Sequence, residues 1–311
     1  MEEYKIEKIT ARDEMEQLGT KEKIWFDEND KTKKLFKIGR FGTGENWSEK
    51  IAYELAVLLK IPCAKYEFAI GKDIEGKEKQ GTVSTSFVPK GARLVHGNEL
   101  LVKFYNDEYP QSERYHLTDY KLSVVLDLID NELNWLELAE EIEDEEISKP
   151  IDLFIGYLIF DTWISNQDRH HENWGIILSK EDVYFAHTYD HAAGLGSKVS
   201  DEEADSRLKT NDVNYSVKKF VTRAKTPFYD DNNKKMKTID VARILIKKYP
   251  TQTCYWIDKI EKISQEDINN ILEKVPAQFM SSVSKKFASS LLYENRKRLC
   301  NLRREVSNEE I

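Results

Sequence analysis

The stretch Ile164–Gly196, ISNQDRHHENWGIILSKEDVYFAHTYDHAAGLG, carries the densest polar chemistry in the chain. Four of the six histidines (His170, His171, His187 and His191) fall inside it. It starts where an apolar segment, Ile151–Ile164, reads as a helix with Leu153, Tyr157, Phe160 and Ile164 on one stripe. Asn173 stands five residues after Asp168, and Asp190 stands 22 after it. Between them, Trp174–Leu178 and Val183–His187 frame Ser179–Asp182, a pattern that predicts a β-hairpin. A single Asp or Asn in a loop is most often a turn former or a helix cap. Three such residues in register around a hairpin are a more specific signal. A zinc site is the weaker reading of the histidines. His170 and His171 are adjacent and diverge, and the His187–His191 spacing crosses the end of a strand. His170 is expected to fix its loop by packing, and Trp174 to lie in the core.

Phosphoryl transfer needs these residue types in this order. One carboxylate orients the attacking hydroxyl and accepts its proton. An amide oxygen and a second carboxylate hold Mg²⁺ against the phosphates. Protein kinases place the first Asp and the Asn on one loop, with the second Asp beyond a short hairpin. Asp168, Asn173 and Asp190 fit those roles, with Asn173 and Asp190 as the metal ligands.

Upstream, the first ~90 residues read as β-rich with one helix. KEKIWF and KKLFKIG flank the polar turn Asp27–Thr32, and KYEFAIG and GTVSTSFV follow as two more strands. Asn46–Lys60 predicts a helix with Ile51, Leu55, Leu58 and Leu59 on one face. Asn46 is its candidate cap, and Ile61-Pro62 its stop. Lys37 sits among apolar neighbours on a strand, where an unpaired charge is costly. It is the candidate cation for ATP phosphates, against the plainer reading of an outward-facing strand residue. Glu49 either pairs with Lys37 or closes a capping box with Asn46, and Glu54 is a rival partner. Gly19-Thr20-Lys21-Glu22-Lys23 is the candidate phosphate loop, although no Walker A pattern occurs.

Beyond Pro89 the pattern turns helical. Asp119–Asp130 and Asn131–Ile142 read as helices, the acidic run Leu138–Ile147 as a solvated helix face, and the tail from Val241 as mostly helical. The expected architecture is α+β with two lobes, residues 1–88 and 89–311. A cleft is expected at their junction near Ser86–Lys90.

Together these residues resemble the HipA-like serine/threonine kinases, in particular their short single-chain members. The resemblance rests on GTKEK at Gly19–Lys23, LFK at Leu35–Lys37 and SEKIAYELA at Ser48–Ala56. It continues with Ile61-Pro62, SNQDRHHEN at Ser165–Asn173 and Tyr189-Asp190. It implies a two-lobed protein-kinase-like fold and ATP- and Mg²⁺-dependent transfer to a protein hydroxyl, with autophosphorylation. Asp168 would be the base, and Asn173 and Asp190 would hold the metal. Lys37 and the loop Gly19, Thr20, Lys21 and Lys23 would meet the phosphates, and Phe87-Val88 would meet adenine. It leaves room for an antitoxin-like partner beside the protein substrate. Many such toxins carry a self-inhibiting serine before the loop glycine, where this chain has Glu16. Loop self-inhibition is therefore not expected. Autophosphorylation is expected within Ser197–Thr226 instead. Asp190 is followed by His191-Ala192-Ala193-Gly194 and not by Phe-Gly, so an ordinary activation-segment switch is not implied.

The totals narrow the alternatives. The chain has 311 residues and a formal net charge of −9, which argues against direct nucleic-acid binding. No apolar run approaches the ~20 residues of a membrane span. The charged N-terminus lacks a signal core, so a cytoplasmic protein is expected. Cys63, Cys254 and Cys300 are too scattered for a disulfide framework or a cysteine zinc site. A lipid or small-molecule kinase with the same Asp-Arg-His-x-x-Asn site, or a nucleotide-binding pseudokinase, stays open at this level.

Overall fold

The computed structural model describes residues 2–10, 14–15, 22–28, 32–73, 75–139 and 142–309. The N-terminal part is a six-stranded sheet. Its strands are β1 (Ile6–Lys8), β2 (Glu14–Met15), β3 (Lys23–Glu28), β4 (Thr32–Ile38), β5 (Tyr66–Lys72) and β6 (Glu78–Thr85), in the order β1-β5-β6-β4-β3-β2. Only the β1–β5 pair is parallel. In β3, Ile24 and Phe26 alternate inward, as a half-buried strand requires. In β4, Leu35, Phe36 and Lys37 are all buried, because both faces of that central strand are covered.

Helix α1 (Glu45–Leu59) connects β4 to β5. It begins one residue earlier than the sequence suggests. Gly44 occupies the cap position with no side-chain bond, so Asn46 is not the cap. Lys60 ends the helix in the left-handed conformation at φ 55°, ahead of Pro62. The buried stripe is Ile51, Ala52, Leu55, Ala56 and Leu59, whereas Leu58 is exposed. The stripe is wider on the alanine side because the small residues let α1 approach its neighbours closely.

The larger part opens with β7 (Arg93–His96), α2 (Gly97–Phe104) and α3 (Leu122–Asp127), which runs into a π-helical turn at Leu128–Glu132. The second expected helix, Asn131–Ile142, does not form among its described residues. There the Phe185 N–H donates to the Glu137 carbonyl, and Glu137 bridges Tyr184. A cross-chain strand contact thus replaces helical bonding, and tertiary context overrides local propensity. The acidic run is likewise turn and coil in its described part.

Helix α4 (Pro150–Ile164) is buried along its whole length, not on one stripe. It is the axis on which the rest packs. The hairpin β8 (Gly175–Leu178) and β9 (Val183–Phe185) joins β7 in a three-stranded antiparallel sheet. Next come α5 (Asp201–Lys209), α6 (Val217–Val221) and the hairpin β10 (Lys225–Tyr229) and β11 (Lys235–Lys237), which sequence patterning did not reveal. The tail is helical as expected: α7 (Thr238–Lys248), α8 (Pro250–Lys262), α9 (Gln265–Glu273) and α10 (Ser282–Glu309).

The core is unequally divided. A small cluster of Ile24, Phe26, Phe36, Ala69 and Val83 fills one face of the N-terminal sheet. The other face, with α1 and Phe68, belongs to one large cluster that runs on through α4 and the tail helices. At the back of the molecule Tyr4 N–H donates to the Lys274 carbonyl at 2.8 Å. Phe68 and Phe279 lie 4.3 Å apart, centroid to centroid.

Candidate active site

Between the N-terminal sheet and the helical part lies a cleft of about 730 Å³. Lys23, Lys37, Phe87, Val88, Asp168, Asn173 and Asp190 all line it. Residues more than 150 positions apart in sequence thus meet at one site. Gly19, Thr20 and Lys21, with Glu16, lie outside the described residues. Of the candidate phosphate loop only Glu22 and Lys23 are described, and Lys23 pairs in register with Lys37 across β3 and β4.

On the sheet side, Lys37 is 7% exposed. Its Nζ lies 3.2 Å from Glu49 Oε1, 3.4 Å from the Tyr66 hydroxyl and 3.9 Å from Asp190 Oδ2. Burial alone would push this ammonium down. The Asp190 and Glu49 carboxylates outweigh it and hold Lys37 well above its ordinary value. Of the two roles open to Glu49, the structure shows the pairing with Lys37. Glu54 instead pairs with Lys50 at 2.7 Å.

Glu49 also reaches further. Its Oε2 accepts the His191 N–H at 2.9 Å, and Ser48 Oγ donates to the His191 carbonyl at 2.7 Å. Two consecutive residues of α1 therefore grip both backbone groups of the residue after Asp190. Asp190 itself has φ 59°, a left-handed conformation that is uncommon outside glycine and is held here by its surroundings. Its N–H donates to the Tyr66 hydroxyl at 3.2 Å. Sequence reading missed Tyr66 and placed Ser48 only in a motif, without this role. Their partners lie 143 and 124 positions away, so local sequence does not show what they bind.

On the helical side, Asp168–Asn173 leaves α4 through Ser165, at φ 54°. Asn173 Nδ2 donates to the Asp168 carbonyl at 2.6 Å. This bond fixes the amide and leaves its oxygen as the atom available to a cation. Arg169 is 1% exposed and organises the loop from below. It forms a two-point pair with Asp161, with Nε–Oδ2 at 2.7 Å and Nη2–Oδ1 at 2.8 Å. It also donates to the Asn173 carbonyl at 2.6 Å and to Thr188 Oγ1 at 2.8 Å. Burial lowers the Arg169 guanidinium, but the Asp161 carboxylate raises it further and keeps it charged. One buried cation thus joins α4, the Asp168 loop and the Asp190 loop. The sequence offers Arg169 only as the middle of a three-residue motif.

The histidines are structural. Burial pushes His170 down to about 4 and His171 down to about 3, and it holds His191 well below 6.5. All three are neutral rings at pH 7. Tyr109 OH lies 2.8 Å from His171 Nδ1. Among the described residues no group of three or more His, Cys, Asp or Glu is arranged to hold a metal. A histidine zinc site is not formed there.

The donor set does fit Mg²⁺. A carboxylate and an amide oxygen lining an open cleft are hard oxygen ligands, and the remaining positions can be filled by waters and phosphates. Phe87 stacks near Tyr189 at 5.5 Å and near His187 at 5.4 Å. With Leu35, Ala64, Val88 and Leu94 it supplies an apolar slot suited to a flat ring.

No protein-family model matches the chain, and no curated protein matches it in sequence. Solved structures do match it. The Helicobacter pylori proinflammatory kinase CtkA superposes with a TM-score of 0.68 at 20% identity, over 93% of this chain and 94% of that one. HipA of Shewanella oneidensis MR-1, solved with HipB and operator DNA, gives a TM-score of 0.53 at 10% identity, over 95% of this chain and 68% of that one. The chain therefore has the two-lobed, kinase-like α+β fold that these proteins share. Among the described residues, no helix is long and apolar enough to cross a membrane.

Proposed function

We propose that this protein is an ATP- and Mg²⁺-dependent kinase of the HipA-like type that phosphorylates serine or threonine on a protein. The observation that carries the reading is the meeting of Lys37, Glu49 and Asp190 across one cleft from Asp168 and Asn173. The fold shared with CtkA and HipA supports it.

In this reading residues 1–88 cover the nucleotide and residues 89–311 present the acceptor. Phe87 and Val88 hold adenine. Lys37, Lys23 and the loop Gly19–Lys23 hold the phosphates, and Glu49 keeps Lys37 aimed. Asp190 and Asn173 would hold Mg²⁺, which when bound offsets the charge of the phosphates. Asp168 orients the acceptor hydroxyl and accepts its proton. The acceptor oxygen bonds to the γ-phosphorus, the bond from that phosphorus to the β–γ bridging oxygen breaks, and ADP leaves. The chain's own contribution is positioning and fixed charge, which dominate phosphoryl transfer. A cytoplasmic protein with an antitoxin-like partner, as HipA has in HipB, follows from the same reading. So does autophosphorylation within Ser197–Thr226.

The test is incubation of the purified protein with γ-labelled ATP and Mg²⁺ together with candidate proteins and lipid vesicles. Label on serine or threonine of protein is expected. Label on lipid alone would replace the reading with a lipid kinase. No transfer, with nucleotide still bound, would make it a pseudokinase.

A further inference from the structure

The cleft differs in charge from the chain that forms it. The chain has a formal net charge of −9, yet six lysine and arginine side chains line the cleft against four carboxylates. Three of those carboxylates are matched by cations of the same lining. Glu45 pairs with Arg40 at 2.7 Å, Glu172 with Arg114 at 2.5 Å and Asp190 with Lys37 at 3.9 Å. Lys23 lies beside Lys37 across β3 and β4 and, in the function proposed above, faces the phosphates. Lys198 and Lys235 remain, both from the helical part. Lys198 is exposed and Lys235 half-buried. Neither has an ion pair among the described residues.

The acids nearest to these lysines in sequence are engaged elsewhere. Asp201 Oδ1 accepts from Ser281 Oγ at 2.6 Å and from Ser284 Oγ at 2.8 Å, and Glu203 pairs with Arg207 at 2.8 Å. Asp230 Oδ1 accepts the Asn232 and Lys234 N–H groups, and Asp231 Oδ1 accepts from Ser123 Oγ at 2.6 Å. None of these four lines the cleft. The backbone at each lysine is tied down. The Ser197 carbonyl accepts the Gly44 N–H at 2.6 Å, at the start of α1. Lys235 pairs in register with Tyr229, whose N–H donates to the Tyr120 carbonyl at 3.0 Å. Two positive charges thus stand in the cleft wall on fixed backbone, with no internal partner.

A cleft lined by one sign of charge focuses its field on what enters. Its shape selects the kind of anion. A flat bilayer cannot enter a recess, and a nucleic-acid strand would carry its charge on past the cleft, along a chain of net −9. A short peptide segment fits inside. We propose that Lys198 and Lys235 select the acceptor by holding carboxylates that flank its hydroxyl, so that the substrates are serines or threonines in acidic segments. This deepens the function proposed above and rests on it for placing the acceptor at Asp168.

The test gives the full chain and saturating Mg-ATP peptides with a single serine, flanked by glutamates, by glutamines or by lysines. Two partly exposed ion pairs together are worth roughly a factor of ten. The glutamate peptide should exceed the glutamine peptide by about that factor in kcat/KM, mostly through KM, and the advantage should shrink at high salt. The combined variant Lys198→Glu, Lys235→Glu should prefer the lysine peptide, with the KM for Mg-ATP unmoved. If charge reversal unfolds the chain, Lys198→Gln with Lys235→Gln serves instead, and the preference should vanish. An unchanged preference would overturn the proposal. So would a raised KM for Mg-ATP with the preference intact, because the lysines would then serve the phosphates. A second readout does not depend on turnover. By fluorescence anisotropy, the glutamate peptide with alanine in place of its serine should bind, with a Kd about tenfold higher in the combined variant. No binding would overturn the proposal, as would tighter binding of phosphatidylserine vesicles or oligothymidine. Lysine-dependent peptide binding without phosphate transfer would keep the acidic-segment site and fail the kinase reading. Transfer without charge preference would keep the kinase and fail the site.

Discussion

The sheet-side wall of the cleft is buried, mutually paired and tied to backbone. Lys37 contacts both Glu49 and Asp190, and Glu49 and Ser48 grip His191. The opposite wall is built differently around its working edge. Arg169 fixes the Asp168 loop from beneath, but Asp168, Arg114 and Tyr115 line an open rim, where Tyr115 is exposed. In the kinase reading proposed above, the difference fits what each wall would meet. A nucleotide triphosphate always presents the same charges in the same places, so its partners can be fixed in advance. A protein acceptor brings its own surface, and room must be left for it.

The largest expected effect tests the open wall. Asp168→Asn removes the proposed base and should lower kcat by about 10²–10⁴, while calorimetry finds Mg-ATP binding retained. More than a tenth of the wild-type rate would mean that Asp168 is not the base. On the paired wall, Asp190→Asn should cost about 10²–10³ in rate and also abolish the Mg²⁺-dependent part of nucleotide binding. Unchanged affinity in calorimetry would reduce Asp190 to a loop residue and erase the contrast between the walls. Glu49→Gln keeps the shape but removes the charge that faces Lys37. By analogy with other residues that orient a ligand's partner, about 10–100-fold should be lost in kcat/KM. A loss of twofold or less would show that Lys37 needs no aiming.

The smallest effect concerns stability beneath the open wall. His170 has its pKa lowered to about 4 by burial, against about 6.5 in the unfolded chain. Between those values the unfolded state binds more protons, so stability falls as pH drops from 6.5 toward 4 and is fully present above 6.5. His170 should contribute roughly 1–3 kcal/mol of the loss between pH 7 and pH 5, alongside buried His171 and His191, read from urea unfolding at the two pH values. His170→Gln should make the slope shallower by that share. An equal slope in the variant would show that His170 does not contribute.

Much of this was legible because the informative residues are close together in sequence. Asp168, Asn173, the hairpin and Asp190 lie within 23 positions, and the helix before them is marked by its apolar run. Lys37 stood out as a charge on an apolar strand. What stayed hidden depends on distant contacts. Glu49 could not be assigned between cap and ion pair until Lys37 was seen 3.2 Å away. The helix read over Asn131–Ile142 failed because Glu137 is claimed by the strand at Tyr184 and Phe185, which follows some 50 residues later. Arg169 reads as motif filler until Asp161, Thr188 and the Asn173 carbonyl converge on it. The expected loop Gly19–Lys23 falls mostly outside the described residues, and its proposed role rests on Lys23.

The staple at the back of the molecule bears on how the chain assembles as it is made. β1 lies beside β5, and Tyr4 next to it is joined to Lys274. The segment leading into the first strand therefore waits for the end of α9 before Tyr4 is tied down. Phe68 likewise waits for Phe279. At a synthesis rate of about 5–20 residues per second, the roughly 200 residues between them take on the order of 10–40 s to emerge. For that interval α1 can cover much of the sheet's back face, while the part that meets Lys274 and Phe279 stays open. The tail helices close that last part.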